Sequence, residues 1–320
     1  MIELSHIVKR FGDKLAVDDV SFTVGEGEIV GFLGPNGAGK TTTLGILTGY
    51  LSATEGDAKI DGVDILEHPS EAKRKIGFLP EYAPLYLDMT VKEYLSFVYD
   101  LKGVKLPRAA HLEEISAVAR ITDVYHRVIK NLSKGYRQRV GIAAALVGNP
   151  KILIFDEPTV GLDPAQIVEI RGLIRTLGRD HTIILSTHIL SEVQAVCDRI
   201  VVIDHGRILA DKTTAEFTQI TEAPTRLNLR IEGEQDAILR FLRSFNGVKS
   251  AEALSRAEEG VYTYYVETAE GRDVRRDLFF ALAEKDFAVL GMEALGVSVE
   301  DIFLRLVQGT DKKPAKKEVR

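Results

Sequence analysis

Short runs of branched apolar residues recur along the chain, and each stops abruptly. Ile29-Val30-Gly31-Phe32-Leu33 halts at Gly34, Ile152-Leu153-Ile154-Phe155 halts at Asp156-Glu157, and further core strands are predicted over 182–186 and 200–203. Unbroken apolar strands of this length belong in a parallel sheet covered on both faces, where no side needs to meet water. Alternation is confined to the first 25 or so residues. There Ile2 to Val8 and Val20 to Val24 flank a turn at Gly12-Asp13, which predicts an antiparallel flap. From about 84 to 150 the period becomes helical. Thr90-Val91-Lys92-Glu93 carries the residues of a capping box, opening a helix with Tyr94, Leu95, Val98 and Leu101 on its apolar side, and a second helix is expected from Gly135 through Leu146.

A break at Glu222-Ala223-Pro224 precedes a new pattern: strand 226–232, helix 235–245, strands 248–255 and 261–268, helix 272–285 and strand 287–295. This β-α-β-β-α-β order suggests a small ferredoxin-like module. Such a module can bind effectors, mediate dimers, dock a partner or brace the enzyme. Ser298-Val299-Glu300-Asp301 then caps a final helix bearing Ile302, Phe303, Leu306 and Val307. The expected organisation is a main domain over 1–222, an accessory α+β domain over 223–308 and a basic tail over 309–320. The tail suits either anionic headgroups or plain solvation.

Composition narrows the class. The 320 residues are 45% hydrophobic and 28% charged, enough for one large core and a smaller one. The net charge of −6 argues against a general nucleic-acid binder. One cysteine, Cys197, excludes an intramolecular disulfide, fits a reducing cytoplasm, and lies in an apolar stretch that suggests packing. No apolar run approaches the ~18 residues of a membrane-spanning helix, and Met1-Ile2-Glu3-Leu4 lacks an export signal.

The chemistry begins where the first buried strand ends. Gly34-Pro35-Asn36-Gly37-Ala38-Gly39-Lys40-Thr41-Thr42 contains G-x-x-x-x-G-K-[ST]. Its glycines let backbone N–H groups point at the α- and β-phosphates of a nucleotide, and the following helix aims its positive end at the same anion. Lys40 is expected on the β- and γ-phosphates, and the Thr41 hydroxyl on Mg²⁺. Asp156 and Glu157 stand at the carboxyl end of a second core strand, where open α/β sheets hold ligands. Asp156 suits Mg²⁺, directly or one step removed, and Glu157 suits a general base.

With Leu132-Ser133-Lys134-Gly135-Tyr136 between these elements and Ser186-Thr187-His188 after them, residues 1 to about 220 resemble the nucleotide-binding subunits of ATP-binding-cassette (ABC) transporters. The resemblance implies an α/β phosphate-loop ATPase core with an antiparallel flap and a helical subdomain. It also implies two copies, or this chain and a related subunit, closing on ATP, with Ser133 and Gly135 reaching the opposite copy's γ-phosphate. Phe11 would stack on adenine, His188 would contact the γ-phosphate and position water, and Asp163 would communicate between subunits. The helical insert would dock a separate integral membrane permease, with Tyr82, Leu85, Tyr86 and Leu87 as candidate contacts or ordinary insert packing. The ATPase would then sit peripherally on the cytoplasmic face of the membrane.

Two departures from the family pattern stand out. Glu81, in Gly77-Phe78-Leu79-Pro80-Glu81, replaces the usual Gln while keeping an oxygen for Mg²⁺ or water. Lys134 and Tyr136 replace the usual Gly and Gln of the signature. Both are similar to a subgroup of exporters called ABC-2 type. Two alternatives stay open: a non-transport ABC ATPase, and a regulatory module in which ATP closure signals through the C-terminal domain.

Overall fold

The computed structural model describes residues 1–221, 226–258, 260–269 and 273–295. The predicted final helix and the basic tail, like the break at 222–224, lie outside the described residues. By its contacts the chain divides into two units, Met1–Thr214 and Ala215–Arg320.

In the first unit a hairpin of β1 (Ile2–Phe11) and β2 (Lys14–Val24) leads to β3 (Ile29–Leu33) and helix α1 (Lys40–Leu47). Next come β4 (Glu55–Ile60), β5 (Val63–Asp64), α2 (Pro69–Arg74) and β6 (Ile76–Leu79). The helical insert holds α3 (Val91–Leu101), α4 (Arg108–Val118) and α5 (Lys134–Leu146). The chain returns through β7 (Ile152–Asp156), α6 (Pro164–Leu177), β8 (Thr182–Thr187), α7 (Leu190–Val196), β9 (Arg199–Asp204) and β10 (Arg207–Thr213), after which α8 (Thr214–Thr221) opens the second unit.

The central sheet has the order β10-β9-β3-β8-β7-β6, with β10 antiparallel to β9 and the rest parallel. All residues of β3, β7 and β8 are buried, as their unbroken apolar character requires. The register pairs Leu33 with Thr187 and Asp156 with Ser186, so the carboxyl ends of β3, β7 and β8 finish side by side. The flap is larger than its alternating hairpin foretold: β4 and β5 join it in the order β2-β1-β4-β5. Only Ala58 and Ile60 of β4 are buried, which left no apolar run to reveal it.

The capping box forms at α3, where the Glu93 amide donates to Thr90 Oγ1 and the Thr90 amide donates to Glu93 Oε2. Tyr94, Leu95 and Val98 are buried, but Leu101 is 72% exposed, contrary to its expected place on the apolar face. It is the last residue of α3 and lies on an open groove, beyond the turns packed on the insert's core. Helix α5 begins at Lys134, one residue earlier than expected.

The second unit has β11 (Arg226–Glu232), α9 (Gln235–Ser244), β12 (Val248–Glu258), β13 (Val261–Thr268), α10 (Arg275–Ala283) and β14 (Ala288–Ala294). Its sheet order β12-β13-β11-β14, antiparallel throughout, is the ferredoxin-like arrangement. Leu227, Leu229 and Ile231 turn to one face and form a core with Ile238 and Leu242 of α9 and Leu278 and Leu282 of α10.

One polar contact locks the insert internally. Lys102 Nζ donates to the carbonyls of Ala144 (3.3 Å), Ala145 (3.1 Å) and Val147 (2.8 Å), satisfying the orphan acceptors at the end of α5. Burial pushes the Lys102 ammonium down to about 8 from its usual 10.5. Between those values the unfolded chain holds a proton that the folded chain has released, so Lys102 makes folding more favourable as pH rises through that window. The size is on the order of 2 kcal/mol. Urea unfolding at pH 8 and pH 10 is expected to show this slope in the parent protein and its loss in Lys102→Met.

Candidate active site

Strand β3 ends in a turn that backbone packing leaves no room to vary. A Cβ on Gly34 would collide with the Ile203 carbonyl oxygen of β9, so this position admits only glycine. Gly37 and Gly39 follow at φ of 83° and 108°, the left-handed region, and curl the loop into α1. The loop is pinned by the Ala38 amide donating to the Pro35 carbonyl at 3.2 Å and the Gly206 amide donating to the Ala38 carbonyl at 2.9 Å. Asn36 and Thr41 are exposed, whereas Lys40 is 6% exposed. Its Nζ donates to the carbonyls of Gly34 at 2.8 Å and Pro35 at 3.2 Å.

Strand β7 delivers two carboxyl groups to the same place. Asp156 is 1% exposed and accepts a 2.7 Å hydrogen bond from Ser186 Oγ of β8. Glu157 is 6% exposed and has φ 49°, an uncommon backbone state for a residue with a side chain. Such a conformation costs roughly 1–3 kcal/mol and survives where neighbours over-determine it. Here its amide donates to the Ser186 carbonyl at 3.0 Å, and its Oε2 lies 2.9 Å from His188 Nδ1. Its Oε1 makes an ion pair with Lys40 Nζ at 3.4 Å, yet this buried oxygen has no hydrogen-bond partner.

A cleft of about 730 Å³ opens beside these groups, lined among others by Phe11, Asn36, Lys40, Thr41, Glu81 and Glu157. Phe11 is 47% exposed, with Lys9 Nζ 5.1 Å from its ring centroid, so one aromatic face has a cation over it. Among the described residues Glu81 makes no hydrogen bond or ion pair, which leaves its charge to the cleft. Four lining residues escaped sequence reasoning: Lys14, Leu15, Ala16 and His205. Lys14 directly follows the Gly12-Asp13 turn beside Phe11, whereas His205 comes from the β9–β10 turn and carries no motif.

The remaining predicted residues do not line this cleft. Ser133 is the N-cap of α5, where its Oγ accepts from the Tyr136 amide at 3.4 Å and keeps its own proton to donate. Gly135 packs against Gln166 of α6, and Asp163 caps that helix by accepting from the Gln166 amide at 2.9 Å. Ser133, Gly135 and Asp163 thus form a second cluster, built where α5 meets α6.

Residues 17–160 match the family model described as ABC transporter. The chain is 41% identical over 216 residues to the ABC transporter ATP-binding protein NatA of Bacillus subtilis, covering 65% of this chain and 88% of NatA. It is 30% identical over 312 residues to the bacitracin transport ATP-binding protein BcrA of Bacillus licheniformis, covering 97% of this chain and 98% of BcrA. This chain belongs to the ABC transporter ATP-binding family. It resembles a dimeric bacterial ABC transporter cassette with a TM-score of 0.62 at 27% identity, over 67% of this chain and 99% of the cassette. It is an ATP-hydrolysing subunit of an ABC transporter, and its resemblance to the exporter-type subgroup is consistent with such relatives. The BcrA similarity continues through the ferredoxin-like unit, so that unit too has a counterpart among transport ATPases.

The tight turn at Gly34 is open to direct test. Gly34→Ala forces a shift of β9 or of the loop, an overpacking cost of about 1–3 kcal/mol. Calorimetry is expected to show a lowered Tm, and ADP binding is expected to weaken as the loop amides move off the phosphates.

Proposed function

We propose that this chain hydrolyses ATP in a site completed by a second copy and passes the closing and opening of that site to a membrane permease, acting as the motor of an ABC-2 type exporter. The observation that carries the hydrolytic part is Glu157 Oε1, buried and without a hydrogen-bond partner, 3.4 Å from the lysine of the phosphate loop. A buried acceptor with an unused lone pair beside a phosphate cradle fits the proton of an attacking water.

Each group then has a part. Phe11 offers its free face to the adenine ring. Gly34, Pro35, Asn36, Gly37, Ala38, Gly39, Lys40, Thr41 and Thr42 wrap the phosphates. Lys40, now spent on two carbonyls and on Glu157, exchanges these for phosphate oxygens, and its departure frees Glu157 Oε1 to accept a proton. His188 holds the other oxygen of Glu157 and fixes its direction. Mg²⁺ fits the donor set: the exposed hydroxyl of Thr41, the unpaired carboxylate of Glu81 and the Ser186-bound carboxylate of Asp156 are all hard oxygen ligands. Bound there, the ion supplies neutralisation of charge on the β- and γ-phosphates.

Ser133 and the amide of Gly135, at the N-terminus of α5, suit the γ-phosphate of ATP held by a second copy, and Asp163 beside them suits the contact between copies. The likeness to a dimeric cassette supports this arrangement. For the permease, the insert offers a groove of about 620 Å³ lined by Phe78, Pro84, Tyr86, Tyr94, Phe97 and Leu101. Its aromatic lining suits an amphipathic segment at the cytoplasmic end of a membrane protein. Among the described residues no helix is long and apolar enough to cross a membrane. We place the chain peripherally on the cytoplasmic face, with the ferredoxin-like unit as a bracing or dimerising module.

Replacing Glu157 by Gln is expected to keep ATP binding and to slow turnover by at least ~10²-fold. Size-exclusion chromatography of that variant with Mg²⁺ and ATP should show a stable dimer that reverts to monomer on nucleotide removal. Hydrolysis at the parent rate would remove Glu157 from its role, and full activity in a strict monomer would overturn the two-copy site.

A further inference from the structure

Behind the site lies a buried carboxylate that none of the predicted motifs includes. Glu192, on α7, is 1% exposed. Its Oε1 accepts from Thr159 Oγ1 at 2.7 Å and its Oε2 accepts from Thr187 Oγ1 at 2.8 Å. Both threonines are buried, and Thr187 Oγ1 also accepts from the Ile189 amide at 3.1 Å. The only cation recorded on Glu192 among the described residues is Arg171 of α6, whose Nη2 lies 3.6 Å from Oε1. The Arg171 Nε atom is buried without a hydrogen-bond partner, so the charge is compensated at one loose contact.

As a device for stability this is a poor arrangement. A buried carboxylate with partial compensation costs desolvation that a well-packed apolar side chain would avoid. What the arrangement does supply is position. Thr159 lies two residues after Glu157, in the loop leading to Asp163, and Thr187 immediately precedes His188. One rigid group therefore spans the two loops whose side chains meet at the 2.9 Å contact of Glu157 with His188. Arg171 extends the clamp to α6, the helix that Asp163 caps.

We infer that Glu192 is a positioning residue for ATP hydrolysis, clamping Thr159 and Thr187 so that Glu157 and His188 stay in register and follow any movement of the helix that starts at Asp163. This rests on the role proposed above for Glu157. Glu192 touches no reacting atom. Its effect is on the orientation of Glu157 Oε1, so it acts on turnover and leaves nucleotide affinity alone.

The test compares steady-state ATPase kinetics of the full chain and its variants in Mg²⁺ and ATP. Gln at 192 keeps one acceptor and places an amide where a second acceptor is needed, opposite a threonine hydroxyl already accepting from Ile189. Glu192→Gln and Thr187→Val are each expected to lower kcat by about tenfold with KM for ATP within about twofold, the pattern of lost orientation. The double variant should be no slower than the worse single, because the two groups act as a unit, and Thr187→Ser should keep the parent kcat. Parent-level kcat in Glu192→Gln, multiplying losses in the double variant, or a Thr187→Ser as slow as Thr187→Val would each overturn the inference. If Glu192→Gln does not fold, the Thr187 pair of variants decides. Glu157→Gln run alongside separates the two claims. Full activity there defeats the assignment of Glu157, whereas its inactivity with a fully active Glu192→Gln defeats only the clamp.

Discussion

The contact on which the site depends is the one between Lys40 and Glu157. It joins the end of β3 to the end of β7, two strands that are not neighbours but flank β8 in the sheet. Each partner is held by groups that leave it little choice: Lys40 by the Gly34 and Pro35 carbonyls, Glu157 by its left-handed backbone and by His188. Both are nearly buried, so their attraction is not dispersed by water. Yet the pair is incomplete, since Glu157 Oε1 lacks a hydrogen bond. A contact that is strong in charge but unsatisfied in geometry is one that a phosphate can replace, which suits a site that must exchange its internal partner for a ligand.

Around that contact the fold separates rigid from open parts. The parallel strands are sealed on both faces, the phosphate loop is pinned through Gly206, and the carboxyl ends of β3, β8 and β7 share a register fixed by their ladder. The flap contributes Phe11, Lys14 and Ala16 to the cleft from strands that lie outside the central sheet. Ser133 and Asp163 are anchored as the N-caps of α5 and α6, and Gly135 packs against Gln166 of α6, all three away from the cleft. The cleft and the cluster at α5 and α6 are thus two separately anchored sets of residues.

The departures at Glu81 and Lys134 are consistent with that division. Neither side chain has a hydrogen bond or ion pair among the described residues. Glu81 lines the cleft, whereas Lys134 sits at the start of α5 against Gly161. The negative group lies in one set and the positive group in the other, so the two do not pair with each other within one chain.

Much of this was legible in the residues, and the limits have physical causes. Unbroken apolar strands, glycines at forced turns and a capping box act locally, so the phosphate loop, the acidic strand end, α3 and the order of the ferredoxin-like unit could be read in advance. Strand β4 could not, because a strand whose only buried residues are Ala58 and Ile60 leaves almost no periodic trace. Leu101 misled because a helix stripe says which side is apolar, not where the neighbouring core ends. His205 and Glu192 stayed hidden for a different reason: folding alone brings one to the cleft and the other between Thr159 and Thr187, and a lone His or Glu looks the same in sequence whether it faces solvent, a cleft or two buried threonines. The sequence by itself determined the elements and the chemistry at their ends. Only tertiary packing decided which of those ends meet, because hydrogen bonds and ion pairs between strands depend on register and burial that no local pattern encodes.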